Sequence, residues 1–154
     1  MLTTPRQTEH SSTTCADKIP RLRIITERGI DADWNEIAPL LQKAIDLSCG
    51  ETTLRSEYEK LKRGETRLWA VTIGGRILAA ATTYFQDYPR KRVVVVGILG
   101  GERMDLWLHF QPEMIEWARD HGATALQAEV RPGLVRKLNG LGWKKVRTII
   151  RKDF

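Results

Sequence analysis

Four consecutive valines, Val93 to Val96, constrain this chain more than any other stretch. Each carries two heavy atoms on Cβ, which favours the pleated backbone over a helix. No polar residue interrupts them, so both faces of the strand they form must be covered, and the strand is expected near the middle of a sheet. It runs on through Gly97-Ile98-Leu99 to Gly100-Gly101, where the chain is expected to leave it in a tight turn. An apolar-periodic segment from about Met104 to His121 then reads as a long helix. A strand, a turn and a helix in this order can hold an anion at the helix N-terminus.

The 154 residues suit one domain, which at that length buries roughly 70% of its unfolded surface. With 42% hydrophobic and 29% charged residues the composition is globular. No apolar run approaches the roughly 20 residues of a membrane span, and no signal core opens the chain. Neither a secretory leader nor a membrane partner is therefore expected. The net charge of +6 is spread over Arg90-Lys91-Arg92, Arg136-Lys137, Lys144-Lys145, Arg147 and Arg151-Lys152. No helix-turn-helix, zinc or aromatic-platform motif accompanies it, so nucleic acid is not the expected partner. Cys15 and Cys49 lack metal or redox spacing, and Cys49 reads as a small buried hydrophobe. His10, His109 and His121 are too scattered for a metal site, and no metal is expected.

Residues 1–20 are polar, with Pro5 and Pro20, and read as a flexible arm, either disordered or ordered only against a partner. Residues 21–154 read as the folded domain. Arg21 to Thr26 alternates as a first strand. Asp33 and Glu36 suggest a capping box for a helix reaching Cys49, with Pro39 kinking it or resetting its start and Gly50 ending it. Thr52 or Thr53 opens a second helix that stops at Gly64. Leu68–Ile73 and Arg76–Tyr84 flank Gly74-Gly75, a hairpin signal. After the long helix, in which Pro112 is another kink point, Leu126 to Val130 alternates as a fifth strand and Leu134–Leu141 forms a short helix stopped by Gly142. Val146, Thr148 and Ile150 predict a final strand over Trp143–Arg151.

The order β, α, α, β, β, β, α, β, α, β predicts an α+β fold. Over residues 21–154 it resembles the GNAT (Gcn5-related N-acetyltransferase) fold, and Leu141-Gly142-Trp143 is similar to the Gly-Phe or Gly-Trp that ends a short helix before the last strand of that family. The resemblance implies a mixed, mostly antiparallel central sheet of about six to seven strands flanked by about four helices.

It also implies a site. Active members seat the pyrophosphate of acetyl-CoA on backbone N–H groups after the fourth strand, in a pattern Arg/Gln-x-x-Gly-x-Gly/Ala. With Arg103 as its first residue, Leu106 and Leu108 fall where the two small residues belong, and Glu102 adds repulsion. The thiolate-protonating Tyr, four residues before the Gly, falls at Leu138, and the Asn that often opens that motif falls at Arg131. The Glu base often found on the fourth strand has no counterpart from Val93 to Leu99. Tyr84, Tyr88 and Trp69 fit a groove or a cross-strand aromatic cluster.

The resemblance therefore points to a non-catalytic GNAT-like protein with no cofactor. Its Gly-Gly-Glu-Arg-Met and Glu129-Val130-Arg131-Pro132-Gly133 stretches look like those of GNAT-like proteins of tailed bacteriophages. The expected role is structural or in assembly, in a virion or host cytoplasm, with other particle proteins as partners through residues 1–20 and the basic segments. A homo-oligomer is compatible with this. The alternative is an acetyl-CoA-dependent N-acetyltransferase acting on a small-molecule or protein amine, with Leu99, Gly100, Gly101, Arg103 and Met104 at the cofactor and Glu129 as base.

Overall fold

A computed structural model describes residues 18–154. Most of the polar arm expected over residues 1–20, with Cys15 and His10, lies outside the described residues. The elements are β1 (Arg21–Ile25), α1 (Ile30–Ile45), α2 (Leu54–Lys62), β2 (Arg67–Ile73), β3 (Arg76–Tyr88), β4 (Lys91–Gly101), α3 (Met104–Asp120), β5 (Ala125–Ala128) and α4 (Pro132–Asn139). The strands form one sheet in the order β1-β2-β3-β4-β5, antiparallel except for the β4–β5 pair, which is parallel. The class is α+β with four helices, as expected, but the described residues hold five strands rather than six or seven. The missing element is the final strand: residues 143–154 join no strand of the described residues and leave Ile150 92% exposed.

The hairpin between β2 and β3 turns on Gly74 and Gly75 at φ +58° and +75°, the paired positive values that a type I′ turn requires. The valine strand is internal, although β3 rather than β4 is central. Val93, Val94 and Val95 are buried and Val96 half-buried. One face of the sheet packs Leu68, Ala70, Ala80 and Ile98 against Ile37 and Leu41 of α1 and Leu61 of α2. The other packs Trp69, Val71, Ala79 and Ala81 against Leu106, Trp107, Phe110 and Met114 of α3. Ile37 and Leu41 are fully buried, worth about 1.5–3 kcal/mol each.

Several boundaries differ from the sequence expectation. α1 starts at Ile30, runs through Pro39 without a new start and ends at Ile45 rather than Cys49. Asp33 and Glu36 do not form its capping box. Arg23 donates to Asp33 at 3.0 Å, and the Ile77 N–H donates to Glu36 at 3.0 Å, fastening α1 to β1 and to the hairpin. Thr53 does cap α2, accepting from the Ser56 N–H while Ser56 accepts from the Thr53 N–H. Cys49, beyond the shortened α1, is exposed rather than buried.

Gly100 and Gly101 do not form the tight exit. They remain in β4, opposite Ala80 and Ala79. The reason is steric. A Cβ at Gly100 would stand 2.0 Å from the carbonyl oxygen of Leu40 in α1, and one at Gly101 would stand 2.6 Å from Cβ of Ala79. The pair of glycines lets a helix backbone and a neighbouring strand press directly onto the end of β4.

Candidate functional site

The sheet opens between β4 and β5. Their pairing extends from Val93–Ala125 to Val96–Ala128 and stops there, while β4 continues to Gly101 beside β3. At this point β4 bulges: Ala81 opposes Leu99 and Thr83 opposes Val96, so Gly97 and Ile98 together face Thr82. Thr82 is 1% exposed, and its hydroxyl accepts from the Ile98 N–H at 3.2 Å. Gly97 leaves room for the Tyr84 ring, whose Cε1 would lie 3.6 Å from a Cβ at that position.

Tyr84 gathers distant parts of the chain. Burial raises its phenol above the usual tyrosine value, followed by the negative charge of Glu129 and then by Tyr88, while Arg147 opposes the rise. Glu129, just past β5, and Arg147, in the final segment, line the same cavity of about 610 Å³. Trp69 belongs elsewhere. It donates to Thr83 at 2.9 Å and meets Trp117 edge-on at 5.0 Å, on the face covered by α3. Trp69 therefore separates from Tyr84 and Tyr88, with which the sequence grouped it: side chains alternate along a strand, and Thr83 and Tyr84 point to opposite faces.

The start of α3 lies at the end of β4, where the resemblance places a coenzyme's diphosphate. Leu99 is half-buried in β4, and Met104 is exposed in the first turn of the helix. Arg103 folds back on Asp105 through three contacts, the shortest 2.7 Å. This pairing holds the Asp105 carboxyl below its ordinary value. The guanidinium at the start of α3 is thus engaged by a carboxylate of the chain itself. Glu102 stands beside it, 75% exposed, with Lys43 4.0 Å away. Leu106 is turned into the core and is only 4% exposed, so it does not crowd this surface. Leu108 is half-buried. The obstacle to a diphosphate is therefore charge: the carboxylates of Glu102 and Asp105, with the Arg103 guanidinium already taken by the second. These residues do not fit that group.

The remaining sequence candidates are dispersed. Leu138, at the place of the proton donor, is buried on α4, and Arg131 is the exposed residue before that helix, with no capping hydrogen bond from its side chain. His121 is exposed, its Nδ1 2.7 Å from the Trp117 carbonyl oxygen, and His109 lies edge-on to Phe110. Among the described residues no cluster of three His, Cys, Asp or Glu could hold a metal, and no helix is long and apolar enough to cross a membrane. The approach of Tyr84, Glu129 and Arg147 was missed in the sequence, because no local spacing links β3, the residue after β5 and the final segment.

No family model and no curated protein matches the sequence. Solved structures do match. A ribosomal-protein-alanine N-acetyltransferase from Brucella melitensis biovar Abortus 2308 is 14% identical, with 88% of this chain and 100% of that one covered at a TM-score of 0.66. A glucosamine-6-phosphate N-acetyltransferase from Arabidopsis thaliana is 10% identical, with coverage of 89% and 99% at a TM-score of 0.65. A predicted acetyltransferase from Clostridium acetobutylicum, solved with acetyl-CoA, is 12% identical, with coverage of 88% and 96% at a TM-score of 0.62. The chain has the GNAT fold. At such identities the likeness concerns fold alone.

Proposed function

We propose that this GNAT-fold protein is not a transferase but a structural or assembly component, and that the assembly is a tailed-phage particle. One observation carries the first part: Arg103, the cation at the start of α3 that the resemblance would give to a cofactor's phosphates, is taken by Asp105 of the chain itself. Supporting it, Leu138 stands where the fold's proton donor would be, and β4 offers no titratable group from Val93 to Gly101. For assembly, the support is the final segment, which exposes Val146, Ile149 and Ile150. The phage setting rests on the sequence resemblance alone.

Calorimetric titration with acetyl-CoA tests the reading. No saturable binding is expected. A dissociation constant below about 100 μM, roughly 5.5 kcal/mol, would overturn the non-catalytic reading. For the narrower part, the chain is expected at stoichiometric copy number in purified virions, and its absence from them would remove the particle role.

A second reading has its own observation. Glu129 lies close enough to Tyr84 to raise its phenol, beside the opening between β4 and β5. In an N-acetyltransferase acting on an amine, Glu129 would be the group to take the amine's proton. That reading requires Arg103 and Asp105 to separate so that Leu99 to Met104 could receive acetyl-CoA.

A further inference from the structure

Charge is segregated along this chain. Residues 129–154 hold eight Lys and Arg against two Asp and Glu and so carry the whole net charge of +6, whereas residues 1–128 hold seventeen of each. The fold leaves most of these cations unpaired. Arg131, Arg136, Lys137, Lys144, Lys145 and Arg147 are exposed, with no carboxylate within 4.0 Å among the described residues. Arg151 of the same stretch is paired, with Glu51. The Leu138 carbonyl accepts from the Leu141 and Trp143 N–H at 2.9 and 3.3 Å. This closed turn keeps Lys144 beside the end of α4 that carries Arg136 and Lys137. Trp143 Nε1 in turn donates to Gln111 of α3 at 3.0 Å, which fixes the turn to the body of the protein.

The end of the β3–β4 hairpin adds two rings to this surface. Lys91 borders the same hollow as Lys144, Lys145 and Arg147, and its Nζ lies 5.8 Å from the centre of the Tyr88 ring. Tyr84 and Tyr88, four residues apart on β3 and so on one face of it, are 38% and 36% exposed. An acidic peptide would answer the cations and leave the rings unused. A nucleic-acid strand answers both, because phosphates neutralise Lys and Arg and an unpaired base offers a flat face to tyrosine. A duplex keeps its bases stacked on one another. We infer that this surface binds a single strand of nucleic acid, with phosphates on Lys144, Lys145 and Arg147, bases against Tyr84 and Tyr88, and Arg136 and Lys137 extending the track. The expectation against nucleic acid rested on the lack of a motif, whereas here the fold brings together charge and rings from separate parts of the chain. Such binding goes beyond the assembly reading and does not rest on it.

The test uses the full chain and short labelled ligands of equal length: thymidine and uridine strands, a duplex, an abasic sugar–phosphate strand and oligoglutamate. Fluorescence anisotropy at about 50 mM salt is expected to show saturable binding of the thymidine or the uridine strand, the tighter of the two identifying the sugar. The duplex, the abasic strand and oligoglutamate are each expected to bind at least tenfold more weakly. Log affinity is expected to fall against log salt with a slope of roughly −3, as for about four neutralised phosphates. Lys144→Glu/Lys145→Glu is expected to weaken binding at least tenfold and to make the slope shallower by about 1.4. Tyr88→Ala is expected to weaken it at least fivefold with the slope unchanged, since a ring releases no counterions. Arg28→Glu/Arg76→Glu, an equal change in net charge on exposed residues outside this surface, leaves affinity unchanged within about twofold. Failure of both strands to bind, or equal binding of oligoglutamate, would overturn the inference without reference to the variants. Equal binding of the duplex or of the abasic strand would remove the role of the rings, and the single-strand assignment with it. Loss of nucleic-acid binding leaves the assembly reading standing, and acetyl-CoA binding removes that reading without touching this surface.

Discussion

The two sides of the sheet are built from similar sequence and reach different ends. From β1 to β4, every strand has a partner and helices cover both faces, so that Leu68, Ala70, Val71, Ala79 and Ala80 are fully buried. From β5 onward the ladder is four residues long, and after α4 every residue is exposed except the half-buried Trp143. Yet Val146-Arg147-Thr148-Ile149-Ile150 has as much β-branching as Leu68–Ile73. Propensity proposes a strand; an available backbone edge at the right distance decides whether one forms. The covered side owes its stability to paired backbone and packed methyl groups, and the open side has the same pattern without a neighbouring strand among the described residues.

This contrast can be broken where it is strongest. Gly100→Val drives a side chain into the Leu40 carbonyl of α1 and is expected to lose at least about 3 kcal/mol, roughly 6–12 °C in melting temperature. A thermal unfolding curve unchanged within about 1 °C would show that α1 does not seat on β4 as described.

Thr82→Val is nearly isosteric and leaves the Ile98 N–H at the bulge without its acceptor. Its expected effect is about 1–3 kcal/mol in urea unfolding, and an unchanged midpoint would mean that the amide finds another partner.

On the open side the expected effect is local rather than global. Arg151 holds the Glu51 carboxyl below its ordinary value. A depressed folded value means the contact is fully present above the unfolded value of 4.5 and is lost as pH falls through the lower folded value. Backbone mobility of residues 144–151, read by nitrogen-15 relaxation, is expected to rise at that acid limb, with Glu51→Gln showing the higher mobility already at neutral pH and an unchanged melting temperature. Equal relaxation in both proteins would leave the tether without a role.

Legibility in the sequence follows the same division. The valine strand, the Gly74-Gly75 turn and the Thr53 cap were readable, because each is decided by residues within a few positions. The acids of α1 were misread because Asp33 and Glu36 are claimed by Arg23 and by the Ile77 N–H, which only the folded sheet brings near. Gly100-Gly101 looked like punctuation, and the helix backbone that requires it comes from a distant part of the chain. The final strand failed because alternation records a preference for pairing and nothing about the neighbour. At the candidate site, Arg103 and Leu138 could be placed by motif spacing. The back-folding of Arg103 onto Asp105 and the nearness of Glu129 to Tyr84 could not, since both depend on where side chains come to rest.

The contact of Gly100 with Leu40 bears on how the molecule could ever rearrange. With main chain lying on main chain, nothing compressible separates the first helix from the tip of the fourth strand, and the two must travel together as one rigid plate. The third helix grips the opposite face through Leu106, Trp107, Phe110 and Met114, so the sheet at this end is clamped by bare backbone on one side and by large side chains on the other.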